Sequence, residues 1–130
     1  MKLDKQQALK ILDDFQHQLE EQAWYQLIKP QLKASLLYGS VAKGTNRPDS
    51  DIDVLLIVPL QAEEDYTVGE YFYKFRAVEI NIVLRSIEKL RLLAKAKSDP
   101  FQQNVFKDSV LIYQADDEVK NLLKQIAAGA

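Results

Sequence analysis

The 130-residue sequence has no cysteine and only one histidine, His17. No disulfide framework, thiolate metal site or cysteine nucleophile can be built from it, and paired-histidine metal sites and the HExxH motif are excluded as well. An excess of charge of one sign is also lacking. With 17 Lys plus Arg against 19 Asp plus Glu the formal charge is −2, so nothing pulls the chain generally toward nucleic acid or an anionic membrane, and any polyanion site must be local. Long apolar runs are missing too: the longest, residues 54–60, contains Pro59 and is far shorter than a membrane span, and residues 1–7 are polar. The expectation is a soluble, cytoplasmic chain with no membrane contact and no extended nucleic-acid surface. Its length predicts one domain, 1–130, large enough to bury about two thirds of its unfolded surface.

What is present is periodic. Residues 4–29 place Ile11, Phe15, Leu19, Ala23 and Leu27 at i+4 spacing, widened by Leu12, Trp24 and Ile28, which predicts one long amphipathic helix stopped by Pro30. Residues 33–38 predict a strand ending in a Gly39-Ser40 turn, and residues 41–48 leave room for at most one helical turn. Residues 51–58 begin with alternating carboxylates and close on a continuous apolar run, the pattern of a strand buried on both faces. After a polar connection at 61–65, five of the twelve aromatics (Tyr66, Tyr71, Phe72, Tyr73, Phe75) predict a strand, joined by a hairpin to the period-two pattern of 78–84. Ser86 can cap a helix to about Lys97, Asp99-Pro100 restarts a short one, 110–113 is a brief strand, and a final helix runs from Asp116. The order predicts an α+β (α/β) domain, a mixed sheet with helices packed mainly on one side, with a core at 33–115.

Two features coincide in the middle third: Gly39-Ser40 ends one strand, and Ser50-Asp51-Ile52-Asp53 opens the next. Each alone is common by chance; their joint placement carries the argument. Side chains at i and i+2 of a strand share a face about 6.7 Å apart along the backbone, so Asp51 and Asp53 converge while Ile52 and Val54 face the other way. Two carboxylates about 5 Å apart repel by roughly 3 kcal/mol at an effective dielectric of about 20, which invites a cation or a proton. Oxygen-only ligands suit Mg²⁺ or Mn²⁺. The competing reading makes Asp51 a turn cap and Asp53 a solvated strand residue. Gly39 lets backbone amides approach an anion, and Ser40 adds a hydroxyl where a helical turn begins and partial positive charge gathers, a phosphate cradle. Lys43, one turn on, is either a cation beside the phosphates or a solvent-facing lysine. Glu79, on the polar side of the 78–84 strand, is the candidate third carboxylate, and Asn81 shares its face.

The run Gly39-Ser40-Val41-Ala42-Lys43-Gly44-Thr45 through Ser50-Asp51-Ile52-Asp53-Val54 resembles the signature of the minimal nucleotidyltransferases, the MNT type of the DNA polymerase β superfamily. The resemblance extends over most of 33–115 and is strongest over 38–55. Lys43 stands where an arginine is frequent, and Glu79 where many members carry aspartate. Aminoglycoside-modifying members are similar at the motif, but the chain leaves no room for their extra helical domain.

The resemblance implies a magnesium-dependent, adenylyltransferase-like enzyme acting on ATP or another NTP. Asp51, Asp53 and Glu79 would be the catalytic and metal-ligating residues around two Mg²⁺ ions, or Mn²⁺. Gly39, Ser40, Lys43 and Ser50 would contact the nucleotide. It further implies a HEPN-domain toxin as partner, the chain being its antitoxin; a homo-oligomer is left open. The competing class is a silent nucleotidyltransferase-fold module that binds nucleotide or a partner without chemistry, and Glu79 discriminates between the two. A polymerase or tRNA-processing role lacks the positive charge such substrates call for.

Overall fold

The computed structural model describes residues 3–48, 50–66, 71–96 and 106–128. Its elements run α1 (Lys5–Glu20), α2 (Ala23–Ile28), a 3₁₀ turn (Lys29–Gln31), β1 (Ala34–Tyr38), α3 (Gly39–Lys43), β2 (Ile52–Val58), α4 (Leu60–Tyr66), β3 (Tyr71–Phe75), β4 (Val78–Ser86), α5 (Ile87–Ala96), β5 (Val110–Gln114) and α6 (Glu118–Ala128). The restart expected at Asp99-Pro100 lies outside the described residues.

The single long helix expected over 4–29 is two helices. A capping box starts α1, in which the Asp4 carboxylate accepts from the Gln7 amide at 2.8 Å and the Gln7 side chain accepts from the Asp4 amide at 3.0 Å. Its buried stripe is Ala8, Leu12, Phe15 and Leu19. A strict i+4 series drifts around an α-helix, by about 160° over the four steps from residue 11 to residue 27, so one straight helix could not keep it on the core. The chain breaks instead at Gln22, whose backbone is extended. In α2 Tyr25 and Ile28 turn inward while Leu27 is 58% exposed.

The five strands form one sheet in the order β3-β4-β2-β1-β5, with β2 and β4 parallel and the other pairs antiparallel. The helices divide between its faces rather than gathering on one. Leu37, Ile52, Val54, Leu56, Ile80 and Ile82 pack against α1 and α2. Ala34, Leu36, Leu55 and Ile57 pack against Ile87, Leu90 and Ala94 of α5 and Val119 and Ile126 of α6. The unbroken apolar run in β2 is the reason, because a strand with hydrophobes on both sides needs cover on both.

The polar connection expected at 61–65 is helical. Its acidic character is used locally: the buried Glu63 carboxylate accepts from the Ser86 amide at 3.1 Å and from Lys89 Nζ at 2.7 Å. These bonds staple α4 to the junction of β4 and α5. Of the aromatic segment expected as a strand, Tyr66 instead ends α4, and the part from Tyr71 splits as a strand should. Tyr71, Tyr73 and Phe75 join the core cluster, with Trp24 stacked on Tyr71 at 3.9 Å between ring centres, whereas Phe72 points away and is 64% exposed.

The β3–β4 hairpin closes through Arg76 and Ala77, both at positive φ, 53° and 62°, the pairing that suits the right-handed twist of the strands. Neither is a glycine, and Arg76 is retained by its bond to Asp14 of α1 at 2.6 Å. Ala77→Gly is therefore expected to stabilise the protein by up to about 1 kcal/mol. A raised urea midpoint at constant slope is the measurement; an unchanged or lowered midpoint contradicts the assignment of strain.

Candidate active site

The site forms where helical cover ends on the α5/α6 face. Leu55 and Ile57 lie under that cover, whereas Asp53, two residues earlier on the same side of β2, is only half-buried. Strand register builds a row across the sheet on this face. Tyr38 of β1 pairs with Asp53 of β2, Asp53 with Asn81 of β4, and Asn81 with Phe72 of β3.

Asp51 and Asp53 do converge, and the group that joins them is Asn81. Its Nδ2 donates to Asp51 Oδ2 at 2.8 Å and more loosely to Asp53 Oδ1 at 3.4 Å. The partial positive charge of one amide offsets part of the repulsion between the two acids. Asn81 Oδ1 is buried with no hydrogen-bond partner among the described residues, the condition in which an oxygen is completed by water or a cation.

Gly39 sits against the same cluster. Its φ is +77°, and a Cβ there would collide with the Asp53 carboxylate, lying 3.2 Å from Asp53 Cγ. Glycine is thus required twice, for the backbone conformation and for the close approach of the β1–α3 turn to Asp53. Ser40 follows, half-buried, as the second residue of α3, while Lys43 is exposed at the opposite end of that helix. Ser50 accepts from the Arg47 amide at 2.7 Å through Oγ. Its hydroxyl is engaged in the turn that delivers Asp51, and its proton and second lone pair remain to offer a ligand.

Glu79 lies on the same sheet face as Asp51 and Asp53, at the rim of the site. Among the described residues no three carboxylate or histidine groups stand together as a metal set. The pairing of Asp53 with Asn81 puts the amide at the position beside the second acid and leaves Glu79 two residues further out on the same face, exposed and opposite Lys74. Glu79 lines the rim of a concavity of about 410 Å³ that also holds Ser50, Asp51 and Lys74. Asn81 is the residue that sequence reasoning missed. Its shared face with Glu79 was legible, but the β2–β4 register that selects between them was not.

A second hollow of about 420 Å³ lies between α1 and the sheet, lined by Leu12, Phe15, Leu56 and Ile82 among others. It opens on the face opposite Asp53, and its polar lining includes Gln16, which donates to the Tyr25 hydroxyl at 3.1 Å.

Residues 25–118 match the family model described as "Polymerase beta, Nucleotidyltransferase". The chain belongs to this nucleotidyltransferase family. The match spans both the Gly39-Ser40 turn and the Asp51/Asp53 strand of this family member. A solved structure with the same fold is a nucleotidyltransferase-like protein from Exiguobacterium sibiricum, at TM-score 0.59 and 10% sequence identity. The likeness covers 92% of this chain and 38% of that one, so this nucleotidyltransferase domain spans well under half of its neighbour's length. No curated protein matches the chain. Among the described residues no helix is long and apolar enough to cross a membrane.

Proposed function

We propose that this chain is a minimal nucleotidyltransferase of the MNT type, which transfers AMP from ATP to a hydroxyl on a HEPN-domain partner and acts as that partner's antitoxin. The observation that carries the reading is the meeting of Asp51 and Asp53 beside Gly39 at the edge of the helical cover. The donor set fits Mg²⁺ or Mn²⁺: two carboxylates and the unpaired Asn81 Oδ1 offer oxygen only. Two acids balance one divalent ion, and the substrate phosphates balance a second. Bound there, the metal would neutralise charge developing on the α-phosphate.

The chain's own groups do the rest by placement. Asp51 and Asp53 hold the ion, and Ser40 with the first amides of α3 binds the β- and γ-phosphates. The acceptor oxygen attacks the α-phosphorus, pyrophosphate leaves, and Glu79 on the rim takes the acceptor's proton. Incubation with each α-labelled NTP, Mg²⁺ and the product of the neighbouring gene tests the proposal. Label from ATP on that protein is expected.

A second reading, a silent module that binds nucleotide without transferring it, is favoured by Asn81 standing where a third acid would complete the set. Binding of ATP with no label on any acceptor would select it. Both readings require a cation site, and Asn81→Asp probes that directly. A third carboxylate replaces the bridging amide and adds repulsion of roughly 3 kcal/mol per close pair. The variant is expected to melt below the wild type without divalent ions and to regain most of the loss with Mg²⁺. A melting temperature indifferent to Mg²⁺ contradicts the cation site.

A further inference from the structure

Phe72 is the one aromatic of its strand that the core does not use. Its neighbours Tyr71, Tyr73 and Phe75 pack against Trp24 and Phe15, while Phe72 is 64% exposed on the sheet face that carries the acids. It lies directly across from Asn81, which lies directly across from Asp53. Phe72, Lys74, Glu79 and Asn81 line a concavity of about 380 Å³. Lys74 and Glu79 also line the hollow that holds Asp51, so the two adjoin. A large apolar ring bare on an edge strand is a liability unless something covers it.

The row gives that ring an occupant. We propose that Phe72 is the stacking platform for the base of the nucleotide. The inference rests on the nucleotidyltransferase reading above and adds where the nucleoside lies. With the β- and γ-phosphates at α3, on the β1 side, and the α-phosphorus over Asp51 and Asp53, the nucleoside extends the other way, across Asn81 toward β3. Phe72 is two strand spacings from Asp53, roughly 10 Å, within reach of a base carried on a ribose. Stacking on a π-face tolerates any base, and the larger ring system of a purine covers more of the phenyl group. The platform therefore favours purine over pyrimidine nucleotides, with weak discrimination between ATP and GTP.

The test is binding to the full chain in Mg²⁺ of ATP, CTP and inorganic tripolyphosphate, compared between wild type, Phe72→Ala and Phe72→Tyr. Phe72→Ala is expected to weaken ATP by about 10-fold, a size typical of one lost base stack, to narrow the gap between ATP and CTP, and to leave tripolyphosphate unchanged. Phe72→Tyr is expected to restore ATP affinity. Unaltered ATP affinity in Phe72→Ala, with tripolyphosphate still bound, overturns the platform alone. Equal loss of ATP and tripolyphosphate also overturns it, because a base contact cannot act on a ligand without a base. If the wild type binds neither ligand, the reading of the site itself fails.

Discussion

Asp53→Asn is expected to lower nucleotidyl transfer by at least about 10³-fold, equivalent to about 4 kcal/mol of transition-state stabilisation, and Asp51→Asn to do the same. The amide keeps the shape of the side chain and removes the charge that would hold the proposed divalent ion. The same substitution relieves repulsion between two half-buried acids that the Asn81 amide bridges. The variant is therefore expected to melt at or above the wild-type temperature. Loss of rate with undiminished stability separates a site residue from a structural one. Ser40→Ala, which removes one hydroxyl and no charge, is expected to cost much less. Wild-type rates in Asp53→Asn would defeat the assignment of the acids.

Gly39→Ala is the second large effect, and Gly44→Ala is its control. Both glycines have nearly the same positive φ, +77° and +76°, so each alanine pays the same backbone cost, about 1–2 kcal/mol. The surroundings differ. A Cβ on Gly44 meets nothing within 4 Å, whereas one on Gly39 runs into the Asp53 carboxylate. Both variants are expected to lose comparable backbone stability, with any excess in Gly39→Ala coming from the collision. Only Gly39→Ala is expected to lose magnesium-dependent nucleotide binding, by 10-fold or more, since Asp53 must move. Chemical denaturation and nucleotide titration on the pair check this. Equal binding losses in the two would show that Asp53's approach to the turn is irrelevant to the ligand.

The sequence carried the parts of this site whose signal is local. Period two placed Asp51 and Asp53 together with Ile52 and Val54 behind them, and the unbroken run after Asp53 marked a strand covered twice. The Gly39-Ser40 turn and the hairpin after Phe75 were legible for the same reason. What was hidden depends on partners distant in sequence. The break at Gln22 is set by where Tyr25 and Ile28 find the core, and the helix at Leu60–Tyr66 is held by Ser86 and Lys89. That Asn81 rather than Glu79 lies directly beside Asp53 is a matter of register between two strands that are not consecutive. One slipped pair on the same face would have reversed it, and composition and periodicity are identical in both cases.

The most direct measurement is calorimetric titration of the intact chain with ATP in the presence and absence of Mg²⁺. Binding that requires the ion, and that disappears in Asp51→Asn and Asp53→Asn while Gly44→Ala retains it, is the predicted result. Absence of any magnesium-dependent uptake of ATP or another NTP, or uptake indifferent to both aspartates, would contradict it.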